Sequence, residues 1–195
     1  AREDRGQRRP LLAQSALAQA EITVAYSEHF SLIPWTSMWL MGAASAMTVQ
    51  NLGAGHPERA IRAVHIAARV GALVAASIGL LFLFFPRQLL AIFGMHDPAV
   101  IAIGTQLLRV LSVSGLFISV ALTYTGALQG SGDTRSPLYI SIVSQVIIPL
   151  GICFTLRHTG TLQPIHIWLA ILTGHATRCI LSVWRFNQGK WRSIK

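Results

Sequence analysis

Charged residues are scarce in this chain, at 12% of its 195 residues. A soluble globular domain usually carries about 25%. Hydrophobic residues make up 52%, and the mean hydropathy is +0.52. This balance excludes a disordered chain and argues against a soluble domain. The same length accommodates roughly five membrane spans of about 20 residues each.

Cysteine is also scarce, and it offers no metal or redox chemistry. Cys153 and Cys179 lie in separate apolar runs, and the sequence contains no CxxC. Three histidines, His65, His166 and His175, lie on different segments without the spacing of metal ligands. The sequence therefore predicts no zinc site, no other metal and no cofactor.

Acidic residues are the third scarcity, and none of the seven lies inside an apolar run. They are Glu3, Asp4, Glu21, Glu28, Glu58, Asp97 and Asp133. Neither paired carboxylates nor a Ser/His/Asp arrangement can therefore be assembled within the runs. This argues against an intramembrane enzyme.

Basic residues outnumber acidic ones by 16 to 7, which gives a net charge of +9. They form no continuous stripe, so the sequence predicts no nucleic-acid partner. Most flank the apolar runs, as residues that set membrane topology do. They favour a cytoplasmic location for the turns after the first and third runs and for the basic tail.

Five apolar runs dominate the sequence. They are residues 31–52, 66–85, 99–128, 137–156 and 164–184. Each is near the length that crosses a bilayer as a helix, and none shows the period-2 alternation of a barrel strand. Because lipid cannot satisfy backbone polar groups, the sequence predicts an all-α, polytopic bundle of about five transmembrane helices.

Three regions follow from this pattern. Residues 1–29 form a polar or mixed amino-terminal segment, residues 30–186 the transmembrane domain, and residues 187–195 a basic cytoplasmic tail. Four arginines near the amino end conflict with an outside location, which five spans and a cytoplasmic carboxyl end would require. Either residues 11–28 are the remnant of a preceding span, or the amino-terminal segment is foreign to this architecture.

Two polar turns repeat one theme, Gly-x-Gly followed by a short polar stretch with arginine. The first contains Gly53 and Gly55, and the second contains Gly130 and Gly132. Glycine allows a sharp reversal with positive φ, so both turns read as helix ends. Asp133 and Arg135 extend the second turn and complete a structural motif. Neither turn is a phosphate loop, because no Gly-Lys-Ser/Thr follows.

These stretches together resemble the multidrug and toxic compound extrusion (MATE) family of transporters. The resemblance rests on residues 43–55 (AASAMTVQNLGAG), 58–60 (ERA) and 126–135 (GALQGSGDTR). It implies twelve spans in two lobes, and it places the five runs on spans eight to twelve. The chain would then be a carboxyl-terminal lobe, with the amino-terminal lobe as its missing partner.

The resemblance implies export of small cationic or amphipathic compounds across the inner membrane, as antiport with H+ or Na+. Coupling needs a titratable or cation-binding group in the membrane, and the third run, equivalent to span ten, has no acid. Either the intact parent couples through its amino-terminal lobe, or this copy is truncated and inactive. The alternatives are a lipid-linked saccharide flippase of the wider superfamily and a non-transporting half-lobe that pairs with another subunit.

Several polar side chains inside the runs are candidates for a substrate cavity or for helix bridging: Gln50, Asn51, Gln106, Arg109 and Gln145. Uncharged amides need partners in lipid, so they bridge helices or face a cavity. Arg109 either faces a cavity or snorkels to the outer interface, and we favour snorkelling. Arg178 is expected to snorkel at the inner end of the fifth run.

Overall fold

The computed structural model describes residues 34–92, 98–158 and 164–193, and all regular structure within these ranges is helical. The predicted segment 1–29 lies outside the described residues. The helices are α1 (34–53), α2 (Pro57–Phe84), α3 (Pro86–Ile92), α4 (Pro98–Gly130), α5 (Arg135–Ile142), α6 (Ile148–His158) and α7 (Pro164–Asn187). A π-helical turn, Val143–Ile147, joins α5 to α6, and a 3-10 turn, Lys190–Ser193, follows α7.

Four helical segments of the described ranges are long and apolar enough to cross a membrane. They are Pro57–Phe84, Ile101–Gly130, Arg135–His158 and Ile165–Asn187. The predicted all-α, polytopic architecture is confirmed. Helix α1 falls short of the same standard because it combines Gln50 and Asn51 with several serines and threonines. The expected total of about five spans counts α1 with these four.

Helix α4 is the centre of the bundle and packs against both α2 and α7. Helix α2 runs antiparallel to α4, because Phe82 packs with Leu107 and Leu108 whereas Val64 packs with Leu128. The first of these contacts belongs to a cluster of large aliphatic side chains. The second belongs to a cluster at the opposite end, which also contains Phe186 and Trp191.

Helices α1 and α4 touch through their backbones at two glycines. A Cβ atom on Gly126 would collide with the Met41 carbonyl oxygen, and one on Gly130 with the Ser45 carbonyl oxygen. Each pair of positions is four residues apart, so both contacts lie on one face of each helix. This is the small-xxx-small packing by which membrane helices approach closely without a hydrophobic driving force.

The two polar turns that follow α1 and α4 have the same backbone geometry. The His56 N–H donates to the Asn51 carbonyl (2.8 Å) and the Gly55 N–H to the Leu52 carbonyl (3.0 Å). After α4, the Asp133 N–H donates to the Leu128 carbonyl (3.0 Å) and the Gly132 N–H to the Gln129 carbonyl (3.0 Å). Both are Schellman motifs, which require a left-handed residue at the position of the second glycine.

Replacing Gly55 or Gly132 with alanine is expected to lower the free energy of unfolding by about 1–2 kcal/mol, the cost of a left-handed L-residue. Their φ angles are +73° and +89°. Gly53 is the matched control, because it is helical and a Cβ there meets nothing within 4 Å. Thermal unfolding in one detergent measures all three variants. Equal effects at Gly53 and Gly55 would contradict the assignment.

The fourth apolar run contains a π-helical turn that its sequence pattern does not predict. Pro149 has no N–H and cannot bond the carbonyl four residues earlier, which favours one wider turn before it. The Ser144 hydroxyl donates to the Ile140 carbonyl at 2.6 Å and occupies another backbone acceptor there. The turn places Gln145 opposite α7.

Candidate functional site

Three segments meet at one end of the bundle, which we call the turn end: residues 53–60, 128–136 and 185–193. Asp133 links two of them. Its Oδ2 accepts hydrogen bonds from Arg185 Nη2 at 2.7 Å and Nε at 3.0 Å. The carboxylate is 6% exposed and the guanidinium 21% exposed. This ion pair therefore fixes the start of α5 to the end of α7 in a largely dehydrated site.

The same carboxylate also begins α5. Its Oδ1 accepts the Ser136 backbone N–H at 3.1 Å, and its Oδ2 accepts the Ser136 hydroxyl at 2.8 Å. The first turn of a helix has N–H groups without intrahelical partners, and Asp133 satisfies one of them. Asp133 is the last residue of the Schellman motif after α4, so its side chain lies where α4 ends and α5 begins. The residue that caps α5 thus also makes the ion pair with α7, which is distant in sequence.

The surroundings of Asp133 hold its carboxylate in the charged form. Burial alone would raise its pKa, but hydrogen bonds from Ser136 and Arg185 and the Arg185 charge outweigh burial, so the pKa lies below its usual value. The ionised carboxylate is therefore stable at neutral pH.

The unfolding stability is expected to fall in acid for this reason. Because the folded pKa of Asp133 lies below the unfolded one, its contribution is complete above about pH 3.9 and is lost as the pH drops through the folded value. Unfolding temperatures measured at falling pH would report the loss. Asp133→Asn is the control, since it removes this titration. An identical acid slope in that variant would contradict the prediction.

Aromatic side chains of the helices pack against the tail at the turn end. Trp191, 1% exposed, stacks on Phe186 at 4.8 Å between ring centroids, and its Nε1–H donates to the Phe186 carbonyl at 2.7 Å. His65 and Tyr124 share a hydrogen bond of 2.8 Å, and both rings pack edge-on against Phe186. The tail is therefore an integral part of the helix packing.

The predicted polar candidates do not come together in one place. Gln106 and Arg109 line one open cavity of about 450 Å³ at the opposite end from the turns. Gln145 lies in the π-helical turn, with its Nε2 3.5 Å from His175 Nδ1. At the turn end, Gln50 is exposed and Asn51 donates to the Met47 carbonyl at 2.8 Å.

Two arginines have positions that the sequence pattern did not predict. Arg185 is the partner of Asp133, whereas Arg135, the arginine of the motif, is exposed. Arg178, expected to snorkel, is partly buried, and its buried Nε lacks a hydrogen-bond partner. The signal for Arg178 was its place inside an apolar run, where a charge needs a partner or a cavity. Within the described ranges, no three potential metal ligands cluster.

The described helices have the architecture of a multi-pass helical membrane protein. The MatE family profile matches residues 12–155, and the chain belongs to this family, the MATE transporters. The fold agrees. A solved structure titled "Crystal structure of eukaryotic MATE transporter AtDTX14" superimposes with a TM-score of 0.75 at 20% identity, covering 90% of this chain and 39% of that one.

Curated relatives come from plants and bacteria. "Protein DETOXIFICATION 29" of Arabidopsis thaliana is 25% identical over 185 residues, which are 93% of this chain and 37% of the relative. "Probable multidrug resistance protein NorM" of Deinococcus radiodurans is 28% identical over 177 residues, 87% of this chain and 38% of the relative. The chain therefore spans little more than a third of the length of these relatives.

Proposed function

We propose that this chain supplies the carboxyl-terminal lobe of an antiporter that exports small cationic or amphipathic compounds, coupled to H+ or Na+. Membership of the MatE family carries the proposal. The names of the bacterial relatives point to drug efflux. Alternating access requires two lobes that rock around a midplane cavity. A working pump therefore needs an amino-terminal lobe as partner.

The distribution of basic residues supports one membrane orientation. The turn end carries Arg59, Arg185, Lys190 and Arg192, Arg62 lies just beyond it on α2, and this end is proposed to face the cytoplasm. With this orientation the proposed location of the carboxyl terminus is the cytoplasm, and the proposed membrane is the inner one. The family profile begins at residue 12, so the match to the family includes residues 12–28.

Ion coupling is proposed to occur outside the described helices. Their two carboxylates, Glu58 and Asp133, both lie at the turn end, and each is paired with an arginine. A coupling group must exchange its ion or proton within the membrane. The partner lobe is therefore the proposed source of the coupling acid, and transport without catalysis of a covalent step is the proposed role of the assembly.

A lipid-linked saccharide flippase is the second candidate, and one observation favours it. Arg109 does not stand alone, because Arg87 lines the same cavity together with Gln106 and Thr105. Two guanidinium groups suit an anionic pyrophosphate linkage better than a cationic drug. Under this second candidate an Arg87→Gln, Arg109→Gln double variant of the assembled transporter loses transport of an anionic lipid-linked saccharide, and unchanged transport of that substrate would argue against it.

An efflux assay tests the main proposal. In a drug-susceptible bacterial host, this chain alone is expected to leave the minimum inhibitory concentrations of cationic dyes unchanged, because one lobe cannot enclose a cavity. Replacing the corresponding region of the Deinococcus NorM relative with this chain is expected to give resistance above an empty-vector control.

The unaltered NorM relative is the positive control, and membrane expression of each protein is checked by immunoblot. Clear resistance from this chain alone would overturn the requirement for a second lobe. A chimera that is expressed in the membrane but confers no efflux would count against the transport proposal itself.

A further inference from the structure

A second open cavity lies at the turn end, between α1, α4, α5 and α7. It measures about 400 Å³, and none of the five predicted polar candidates lines it. Arg135 and Arg178 contribute the two charges of its lining. Polar groups of Thr125, Gln129 and Thr134 surround them.

No carboxylate balances these two charges within the described ranges. Asp133 pairs with Arg185, and Glu58 pairs with Arg192. The Nε of Arg178 is buried, and no hydrogen-bond partner for it lies within the described ranges. The lining of the cavity therefore carries two positive charges that no carboxylate of the described ranges balances.

The chemistry of the lining selects an oxyanion. Two positive charges repel the cationic compounds of the proposed transport reaction. Arginine presents several N–H groups in one plane, which match the oxygens of a phosphate, and neutral hydroxyl and amide donors add to them. Met41, Pro137 and Leu138 form an apolar part of the same lining. Arg135 begins a candidate span, so the cavity opens near the predicted membrane surface.

We propose that this cavity binds the phosphate group of an anionic ligand through Arg135 and Arg178. Two sources share this chemistry, the headgroup of an anionic phospholipid and free phosphate. The apolar side chains at the rim accommodate the glycerol and first acyl carbons of a lipid. Soluble phosphate uses the guanidinium groups alone.

The test uses the full chain purified in a neutral detergent. Dissociation constants are measured by thermophoresis for short-chain phosphatidic acid, short-chain phosphatidylcholine and inorganic phosphate. Arg135→Gln and Arg178→Gln are each expected to weaken phosphatidic acid binding about tenfold, because each removes charge-assisted hydrogen bonds. Arg178→Lys keeps the charge but loses the planar donor set, so an intermediate loss is expected.

Arg62→Gln is the matched control, since Arg62 is exposed on α2 at the same end and does not line the cavity. Its affinity is expected to stay within twofold of the parent chain. If Arg178→Gln fails to fold, the comparison of Arg135→Gln with Arg62→Gln still tests the proposal, because Arg135 is exposed. Binding of phosphatidic acid alone supports a lipid headgroup, and binding of inorganic phosphate as well supports a site for either source. Equal losses in Arg62→Gln and Arg135→Gln, or no binding of any probe, would overturn the proposal.

Discussion

Asp133→Ala is expected to lower the free energy of unfolding by about 3 kcal/mol, the scale for breaking one partner of a buried ion pair. The carboxylate is 6% exposed and accepts two hydrogen bonds from Arg185 and two from Ser136. Its removal leaves the guanidinium without its counter-charge in a mostly dehydrated place. It also leaves the first turn of α5 without a cap.

Glu58→Ala is the matched control, because it removes the carboxylate of the other ion pair at the same end. Glu58 is 70% exposed and Arg192 44% exposed, with 3.1 Å between Oε1 and Nη1. Exposed pairs contribute about 0–1 kcal/mol, so a small effect is expected. Thermal unfolding of both variants in one detergent gives the comparison. The double variant Asp133→Ala, Arg185→Ala should cost less than the sum of the single changes, and strict additivity would argue against the pair.

Gly126→Ala is expected to lower the free energy of unfolding by about 1–3 kcal/mol, the usual cost of overpacking. The new methyl group would collide with the backbone of α1 at Met41, and a backbone atom cannot rotate away as a side chain does. The two helices would have to separate along their whole contact. The paired glycine, Gly130, would then lose its close approach to Ser45.

Gly42→Ala and Gly151→Ala are the controls, because both glycines are helical and a Cβ at either position meets nothing within 4 Å. Alanine is the better helix former, so these variants should be neutral or more stable by up to about 1 kcal/mol. Unfolding temperatures separate the two groups. A Gly126 variant as stable as the Gly42 variant would contradict the α1–α4 contact.

The fold class was predictable because lipid cannot satisfy backbone polar groups, so long apolar runs must cross a membrane as helices. The run at 66–85 became the carboxyl-terminal part of α2, and the run at 99–128 became nearly all of α4. The π-helical turn at Val143–Ile147 was not predictable from hydropathy, because an apolar run does not distinguish one wide turn from an α-helical turn. Pro149 favours the wider turn, but a proline alone does not fix where such a turn forms.

The candidate site was predictable only where chemistry is local in sequence. Gly132 and Asp133 stood out because a turn and a helix start lie side by side. The partner of Asp133 was not predictable, since Arg185 is 52 positions away and sequence spacing carries no information on such a contact. The place of Arg178 in the lining of a cavity was not predictable for a related reason. Whether an intramembrane arginine extends to the interface or lines a cavity depends on which helices surround it.

The direct backbone contact between α1 and α4 has a mechanical consequence. Side chains that lie between two helices can change rotamer and let the helices slide, but at Gly126 and Gly130 the nearest atoms of α1 are the backbone carbonyl oxygens of Met41 and Ser45. The two helices are thus expected to move as one rigid body during any rearrangement of the bundle. Bending is expected at the π-helical turn Val143–Ile147, which separates α5 from α6 within one candidate span.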